Sequence, residues 1–525
     1  MTAVGADAVA TVARSDPPSR VEPSEAQRSG AQPPESPAPV DPPRARRPPA
    51  VAALTGAGLV ASLLVVWGGG RVGPVAGATF PSSWFGVLAR NHVNPHHDVW
   101  PGVVLVAGVA LLVGVWLVTL RVATRRAWSL ARLGRVVGCW SVPLALGPPL
   151  LSGDVYSYAA QGYLAQSGSD PYTATPDSLG PVLAAAVDPT WRGAHSPYGP
   201  LATALEHFCV SLGGGTLLGG VVALRVVALL SVLVIGYCAR ELTDSARAPI
   251  VFLLTVANPL LLLHFVSGSH LDAPMLALAL AALVAERRGR LLLALMLATA
   301  SGMVKAQGFL VLIVIAVYLW HNLRIRRRAV LGEGLGVVAL TGLILTLLVP
   351  HGTGWLSSWN TPGQGSTPSA PAALLGTLLR PLVQVASYDD LMAGGRITMM
   401  GVGAVAIGWL LWTARQRPAT STAGWCLMVF SMINPVLYPW YLLSGIVGLA
   451  IDARRWRRDW LIAISVWGTT LSVPGISGHI AGWIWGFTDA GTFLWLVWAL
   501  RGRPAFWRSL TSLRAPADRR GNTLG

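Results

Sequence analysis

Four side chains in this sequence combine chemical capability with an apolar setting: Asp154, His270, Asp272 and Lys305. Asp154 closes the run "LALGPPLLSGD" and is followed at once by Tyr156 and Tyr158. A carboxylate among aromatic rings at the edge of an apolar run can act as a base toward a hydroxyl. It could equally cap the helix of "VYSYAAQGYLAQ", as aspartates commonly do. Lys305, in "ATASGMVKAQGFLVL", is the one lysine among 39 basic residues. A charge at the centre of a membrane helix costs about 2.5–3.5 kcal/mol, so one that is kept there has a task. That task is either to neutralise a phosphate or to pair with a carboxylate of the bundle. "NPLLLLHFVSGSHLDAPM" contributes His264, His270 and Asp272, and a loop pair with Asp272 capping the next helix is the simpler alternative. Arg225 lies inside an apolar run and could pair with a carboxylate or with carbonyls. "NHVNPHHDVW" gathers His92, His96, His97 and Asp98, but no pair of histidines four apart on a marked helix supports a metal site, and none is expected.

The elements that must position these groups are set by the solvent. Apolar residues make up 53% of the 525 and charged residues 12%, with a mean hydropathy of +0.54. Soluble domains are nearer one-quarter charged. The apolar residues fall in long runs, which reads as an all-α polytopic membrane protein. The net charge of +16 is spread as short arginine clusters between those runs, at 121–126, 287–290, 324–328 and 454–458. This is the positive-inside pattern, with contacts to lipid headgroups, and no basic groove or aromatic platform points to nucleic acid. The four cysteines are scattered and read as inert thiols. Residues 1–50, rich in Pro, Ser and charge, read as a disordered cytoplasmic tail, too long and polar at the front for a signal peptide. The membrane domain is expected over 51–505 and a cytoplasmic tail over 506–525.

Alternating the runs between arginine clusters gives about fourteen membrane segments with both termini cytoplasmic. Spans are expected near 51–67, 103–120, 136–151, 217–238 and 250–265, with Trp84, Phe85 and Trp100 as interfacial anchors. The stretch from Ser152 to about Gly215, the "SGSHLDAP" turn, "INPVLYPWYLL" and "PGISGHIAG" all fall outside. Between Arg290 and Arg324 the chain must leave and return, yet 291–304 and 309–320 are each short of the roughly 20 residues of a span. They are expected to form a tilted or partly inserted hairpin with "KAQG" at its tip. Such backbone survives at membrane depth only where protein or a wet cavity surrounds it. Lys305 then lines a cavity that opens outward.

The succession "DVYSYAAQG…GSDPY", "SPYGP", "NPLLLLH…GSHLDAPM", "VKAQG" and "YPWYL" resembles the actinobacterial polyprenyl-phosphomannose-dependent α-1,6-mannopyranosyltransferases, multi-spanning enzymes of the GT-C superfamily. The resemblance runs from the third helix to the last pairs. It implies a GT-C-like bundle of about 12–14 transmembrane helices whose external loops form the active site. It also implies that Asp154 is the catalytic carboxylate and that mannose passes from polyprenyl phosphomannose to a mannan or lipoglycan acceptor, with inversion, in lipomannan-type envelope synthesis. The leaving lipid phosphate would be met by Lys305, His270 and Arg225, with no metal and no other cofactor. Tyr156, Tyr158, Gln161, Tyr172, Tyr198, Asp272, Gln307, Trp440 and Tyr441 are the substrate-contact candidates, although Trp440 and the tyrosines could also be an aromatic belt. The family usually has Asn where this chain has Leu271. The partners implied are the bilayer, the lipid-linked donor and an oligomannoside acceptor. Protein O-mannosyl or pentosyl transfer is the alternative within the enzyme class. A transporter would show paired repeats with matching broken helices. A lipid-linked sugar flippase would not need a long external segment carrying a carboxylate.

Overall fold

The computed structural model describes residues 49–72, 100–322, 327–358, 367, 369–379, 387–453, 455–472 and 491. The N-terminal tail, the histidine cluster at 92–98, the anchors Trp84 and Phe85, the "PGISGHIAG" turn and the C-terminal tail lie outside them. Every described element is helical. The first third of the chain gives α1 (Pro49–Val72), α2 (Trp100–Arg125), α3 (Leu130–Leu146), α4 (Asp154–Gln166), α5 (Pro181–Ala186), α6 (Pro189–Arg192) and α7 (Pro200–Leu212). The centre gives α8 (Leu217–Leu242), α9 (Ala248–Leu254), the single turn α10 (Pro259–Leu261) running into a π-helical turn Leu262–Ser267, α11 (Asp272–Arg287), α12 (Leu291–Val304), α13 (Phe309–Asn322) and α14 (Arg327–Leu347). Then follow α15 (Pro371–Leu379), α16 (Tyr388–Trp412), α17 (Ala419–Ile433), α18 (Tyr441–Ile451) and α19 (Arg455–Leu471).

Among the described residues, four helices are long and apolar enough to cross a membrane: α1, α2, α8 and α16; the pair α9–α10, bent by 49°, makes a fifth if counted as one span. At about 1.5 Å per residue, the 26 residues of α2 or α8 exceed a hydrocarbon core of about 30 Å. Leu63, Leu230, Leu233, Met400, Val405 and Trp409 stand exposed on these helices, as expected of lipid-facing surface. The count is below the fourteen expected because several apolar runs are cut short. Asn258 and Pro259 break the fifth run, and Lys305 to Gly308 break the next hairpin into α12 and α13, 14 residues each. The remaining expected turn falls outside the described residues. α3 begins six residues earlier than expected, since Ser129 accepts from the Arg132 N–H and caps it, and it stops before Pro148. The segment from Ser152 to Gly215 is folded into four α-helices and the 3-10 turn Pro176–Leu179.

The bundle has two chemically distinct ends. α11 runs from Asp272 to Arg287, about 24 Å at 1.5 Å per residue. At its arginine end, chain points at Asp244, Arg247, Glu286, Arg287, Thr420 and Asp452 line a cavity of 290 Å³. At its other end lie the residues singled out for chemistry. Arg247 and Arg287 thus lie at the end of α11 away from Asp272.

Candidate active site

Asp154 is the first residue of α4, and the cap position is Gly153. Its carboxylate makes no capping bond. Instead Oδ2 accepts from the Tyr158 hydroxyl at 3.3 Å, one turn along the same helix, and lies 3.5 Å from His270 Nδ1. Tyr198 donates in turn to the Tyr158 hydroxyl at 3.5 Å, and the two rings meet edge to face. The Asp154 N–H is held by Ser152 Oγ at 3.2 Å. Asp154 lies outside the candidate spans. Burial alone would raise its pKa, but the hydrogen bond and charge of His270, with the Lys305 charge, more than offset this and hold the carboxyl below its ordinary value. Burial drives the phenols of Tyr158 and Tyr198 well above theirs, so both remain donors.

A second acid–base pair stands beside the first. Lys305 Nζ reaches both oxygens of Asp272, at 2.7 and 2.9 Å, and Gln307 Nε2 donates to Asp272 Oδ1 at 3.0 Å. Asp272 is likewise the first residue of its helix and makes no cap. The ammonium also lies 4.1 Å from the Tyr441 ring centre and 5.9 Å from that of Tyr198. The expected broken hairpin delivers it: α12 ends at Val304, Lys305 is extended, and a single 3-10 turn leads into α13. Tyr198 is brought here by a close approach at Gly199, whose N–H bonds to the Val304 carbonyl at 3.2 Å. A β-carbon there would sit 2.1 Å from the Met303 carbonyl oxygen, so only glycine fits.

The His270 ring is fixed from two sides. Trp440 stacks on it at 3.9 Å and 21°, and Tyr438 stacks on Trp440 at 4.5 Å. Trp440 is 4% exposed, which removes it from any interfacial belt. On the other edge, a β-carbon at Gly268 would lie 3.1 Å from Nε2. His264, in the π-helical turn, approaches the same tryptophan at 5.1 Å and bonds Ser472 Oγ through Nε2 at 2.7 Å.

The expected site residues therefore divide. Asp154, Tyr158, Tyr198, His270, Trp440, Asp272, Lys305, Gln307 and Tyr441 come together. Arg225 does not join them. It donates to the carbonyls of Ala145, Gly147 and Ser267 and to Ser269 Oγ, tying the end of α3 to the turn before His270. Tyr156 is buried in the main core. Tyr172 shares a hydrogen bond between its hydroxyl and that of Thr203 at 3.1 Å and packs with Met303 and Trp355 in a separate small cluster. Gln161 holds the Ala194 carbonyl at 3.4 Å, pinning the segment before Tyr198 onto α4. Leu271 is 2% exposed and packs in the core, so the position where the resembled family usually has Asn offers the site no side chain here. Sequence reasoning passed over Ser152 and Glu206. The carboxyl of Glu206 is fully buried with both oxygens unpartnered among the described residues, and the one acid inside the largely apolar "PLATALEHFCVSL" was the available signal. Among the described residues, no three His, Cys, Asp or Glu side chains converge where they could hold a metal ion.

A sequence profile for the alpha-(1->6)-mannopyranosyltransferase family, N-terminal domain, matches residues 55–321, a stretch that includes Asp154, His270, Asp272 and Lys305. The chain belongs to this family. It is 29% identical over 369 residues to alpha-(1->6)-mannopyranosyltransferase B of Corynebacterium glutamicum, covering 62% of this chain and 60% of that protein. It is 27% identical over 428 residues to alpha-(1->6)-mannopyranosyltransferase A of Mycobacterium tuberculosis, covering 77% of this chain and 81% of that one. No solved structure matches the chain. The chain spans 60% of the length of the first of these relatives, and membership of the family supports a transferase activity in general. The Tyr438–Tyr441 stretch, which packs on His270 and under Lys305, lies beyond the matched residues.

Proposed function

We propose that this protein transfers mannose from a polyprenyl phosphomannose to a mannan or lipoglycan acceptor, forming an α-1,6 linkage by inversion on the external face of the membrane. The fold is read as GT-C-like, with both termini cytoplasmic. The observation that carries the reading is the way the two pairs meet solvent. In the first, the Asp154 side chain is 12% exposed and that of His270 0%; in the second, Lys305 is 16% exposed and Asp272 0%. One pair presents its acid and the other its base. A hydroxyl nucleophile and a phosphate leaving group require that division.

In this reading Asp154, held ionised, takes the proton from the acceptor hydroxyl as its oxygen attacks the anomeric carbon. The bond to the lipid phosphate breaks on the opposite face, which turns a β-linked donor into an α-linked product. Negative charge grows on the departing phosphate, and the ammonium of Lys305, anchored by Asp272 and Gln307, is already in place to meet it. His270 acts through Asp154, as the partner that keeps the carboxylate charged and oriented. The test is transfer of radiolabelled mannose from polyprenyl phosphomannose to synthetic mannosides by membranes carrying the chain, compared with Asp154→Asn. The amide keeps the shape and loses the basic oxygen, so transfer is expected to vanish while the protein stays folded. Near-normal turnover by the Asn variant would sink the assignment.

A further inference from the structure

A row of aromatic rings leads away from the candidate base and ends on a residue that the reaction so far leaves without a part. His270 stacks on Trp440, Trp440 on Tyr438, and the Tyr438 ring meets Trp191 at 6.4 Å and 68°. Trp440 is buried, whereas Tyr438 and Trp191 are half-buried, so the row passes from the interior to an accessible corner. Trp191 is carried by α6, a single turn whose position is fixed by Asp188: Oδ1 accepts from the Thr190 N–H at 2.8 Å. The other oxygen, Oδ2, has no partner among the described residues and lies 3.9 Å from where a β-carbon on Gly153 would stand. Asp188 thus flanks Gly153, the residue immediately before Asp154. Both carboxylates act on the Tyr438 hydroxyl through their charge. Arg192, the cation of the same turn, points back to the Val187 carbonyl at 3.1 Å.

We infer that Trp191 and Tyr438 form a stacking wall for a second sugar ring of the acceptor, with Asp188 Oδ2 accepting one of its hydroxyls. The inference deepens the transfer reaction proposed above by assigning it an acceptor subsite. The chemistry selects the occupant. An aromatic face offers a pyranose an apolar surface for its C–H groups, and an unpaired carboxylate oxygen takes hydroxyl protons. A phosphate would be repelled by Asp188; Lys305, the cation suited to it, is held by Asp272 and stands over Tyr441, whose ring meets Trp440 and Tyr438 edge to face. The subsite therefore belongs to the neutral acceptor, on the ring next to the one that carries the attacking hydroxyl.

The test compares a synthetic α-linked mannose disaccharide with the matching monosaccharide, on purified wild type, Trp191→Ala, Trp191→Phe and Asp188→Asn. Loss of a stacking ring is expected to raise the disaccharide KM roughly tenfold. The monosaccharide KM, the donor KM and kcat should change little, and Trp191→Phe should recover most of the loss. Asp188→Asn keeps the capping oxygen and should raise the disaccharide KM alone. Calorimetric titration of the disaccharide into the same proteins reads the subsite without turnover, with melting temperatures as the check on folding. An unchanged disaccharide KM and binding constant in folded Trp191→Ala overturns the subsite, as does an equal loss for both sugars. Absent transfer by wild type, with disaccharide binding that Trp191→Ala abolishes, would keep the subsite and sink the reaction instead.

Discussion

Lys305 can be read in two ways, and the structure turns the choice between them into a thermodynamic cycle. Its ammonium bridges both oxygens of an Asp272 that is 0% exposed, so Lys305→Met leaves a buried carboxylate with only Gln307 for company. Breaking a buried pair by removing one partner costs about 3–5 kcal/mol, and most of that is the stranded charge. A fall in activity of the single variant is therefore ambiguous. The double variant Lys305→Met, Asp272→Asn is not. Asn keeps the volume and can still accept from Gln307, so thermal stability in detergent should return to near the wild-type value. If Lys305 meets the leaving phosphate, turnover per folded molecule should stay depressed by about 10²–10³, the usual loss for one preorganised stabiliser. Lys305→Arg should keep the charge and recover only part of the rate, because a planar fork does not reproduce a compact ammonium over Tyr441. Recovery of both stability and kcat in the double variant would refute the reasoning and leave Lys305 as a counter-ion of the bundle.

Three further outcomes follow from the same geometry. Since the Asp154 pKa is held below the ordinary 3.8, its basic form persists as pH falls, and the acid limb of kcat/KM should have its midpoint below that value; a midpoint near pH 6 would assign the limb to another group. Glu206, buried with both oxygens unpartnered among the described residues, has its pKa raised by burial. The folded state then holds a proton that the unfolded state releases from about pH 4.5 upward, so this carboxyl lowers stability as pH rises from there toward its folded value. Glu206→Gln should flatten the pH dependence of the melting temperature over that window and raise it on the alkaline side, and an unchanged profile would contradict the burial. EDTA should leave transfer intact, because the Lys305 ammonium is assigned to the phosphate; inhibition reversed by Mg²⁺ or Mn²⁺ would recast the carboxylates as ligands.

What the sequence made legible was mostly one-dimensional. The hairpin at Lys305 could be read because two apolar runs, each too short to span, flank a polar "KAQG", and α12 and α13 meet there as expected. That Arg287 and Asp272 fall at opposite ends of one helix could be read because a mostly apolar helix of 16 residues runs from one to the other. The direction of individual side chains could not. Lys305 was open to a phosphate or to a carboxylate of the bundle, and nothing along the chain marked Asp272, 33 residues away, as that carboxylate. Arg225 carried the right charge for a phosphate and spends it on helix-end carbonyls, a favourable place for a cation. Tyr172 sat in a motif of the resembled family and turned toward Thr203. Asp188 and Trp191, inside "VDPTWRG", look like an ordinary Asp-Pro turn until the fold sets that turn against Gly153 and Tyr438.

The cost of holding the site in shape is visible in the backbone. Among the described residues, only four that are not glycine have positive φ, and two of them precede the first acid–base pair: Leu151 at 65°, three residues before Asp154, and Ser269 at 57°, one before His270. Each such conformation costs about 1–3 kcal/mol and persists only where its surroundings over-determine it. Arg225 is bonded close to both segments. It grips Gly147 and Ala145 at the end of α3, just ahead of Leu151, and Ser267 and Ser269 in the turn that aims His270. The 3.5 Å contact between His270 Nδ1 and Asp154 Oδ2 joins the ends of two strained segments that one guanidinium holds together. Of the two roles open to Arg225, a phosphate ligand or a partner for carbonyls, these bonds are those of the second, and they tie the end of α3 to the turn that leads into His270.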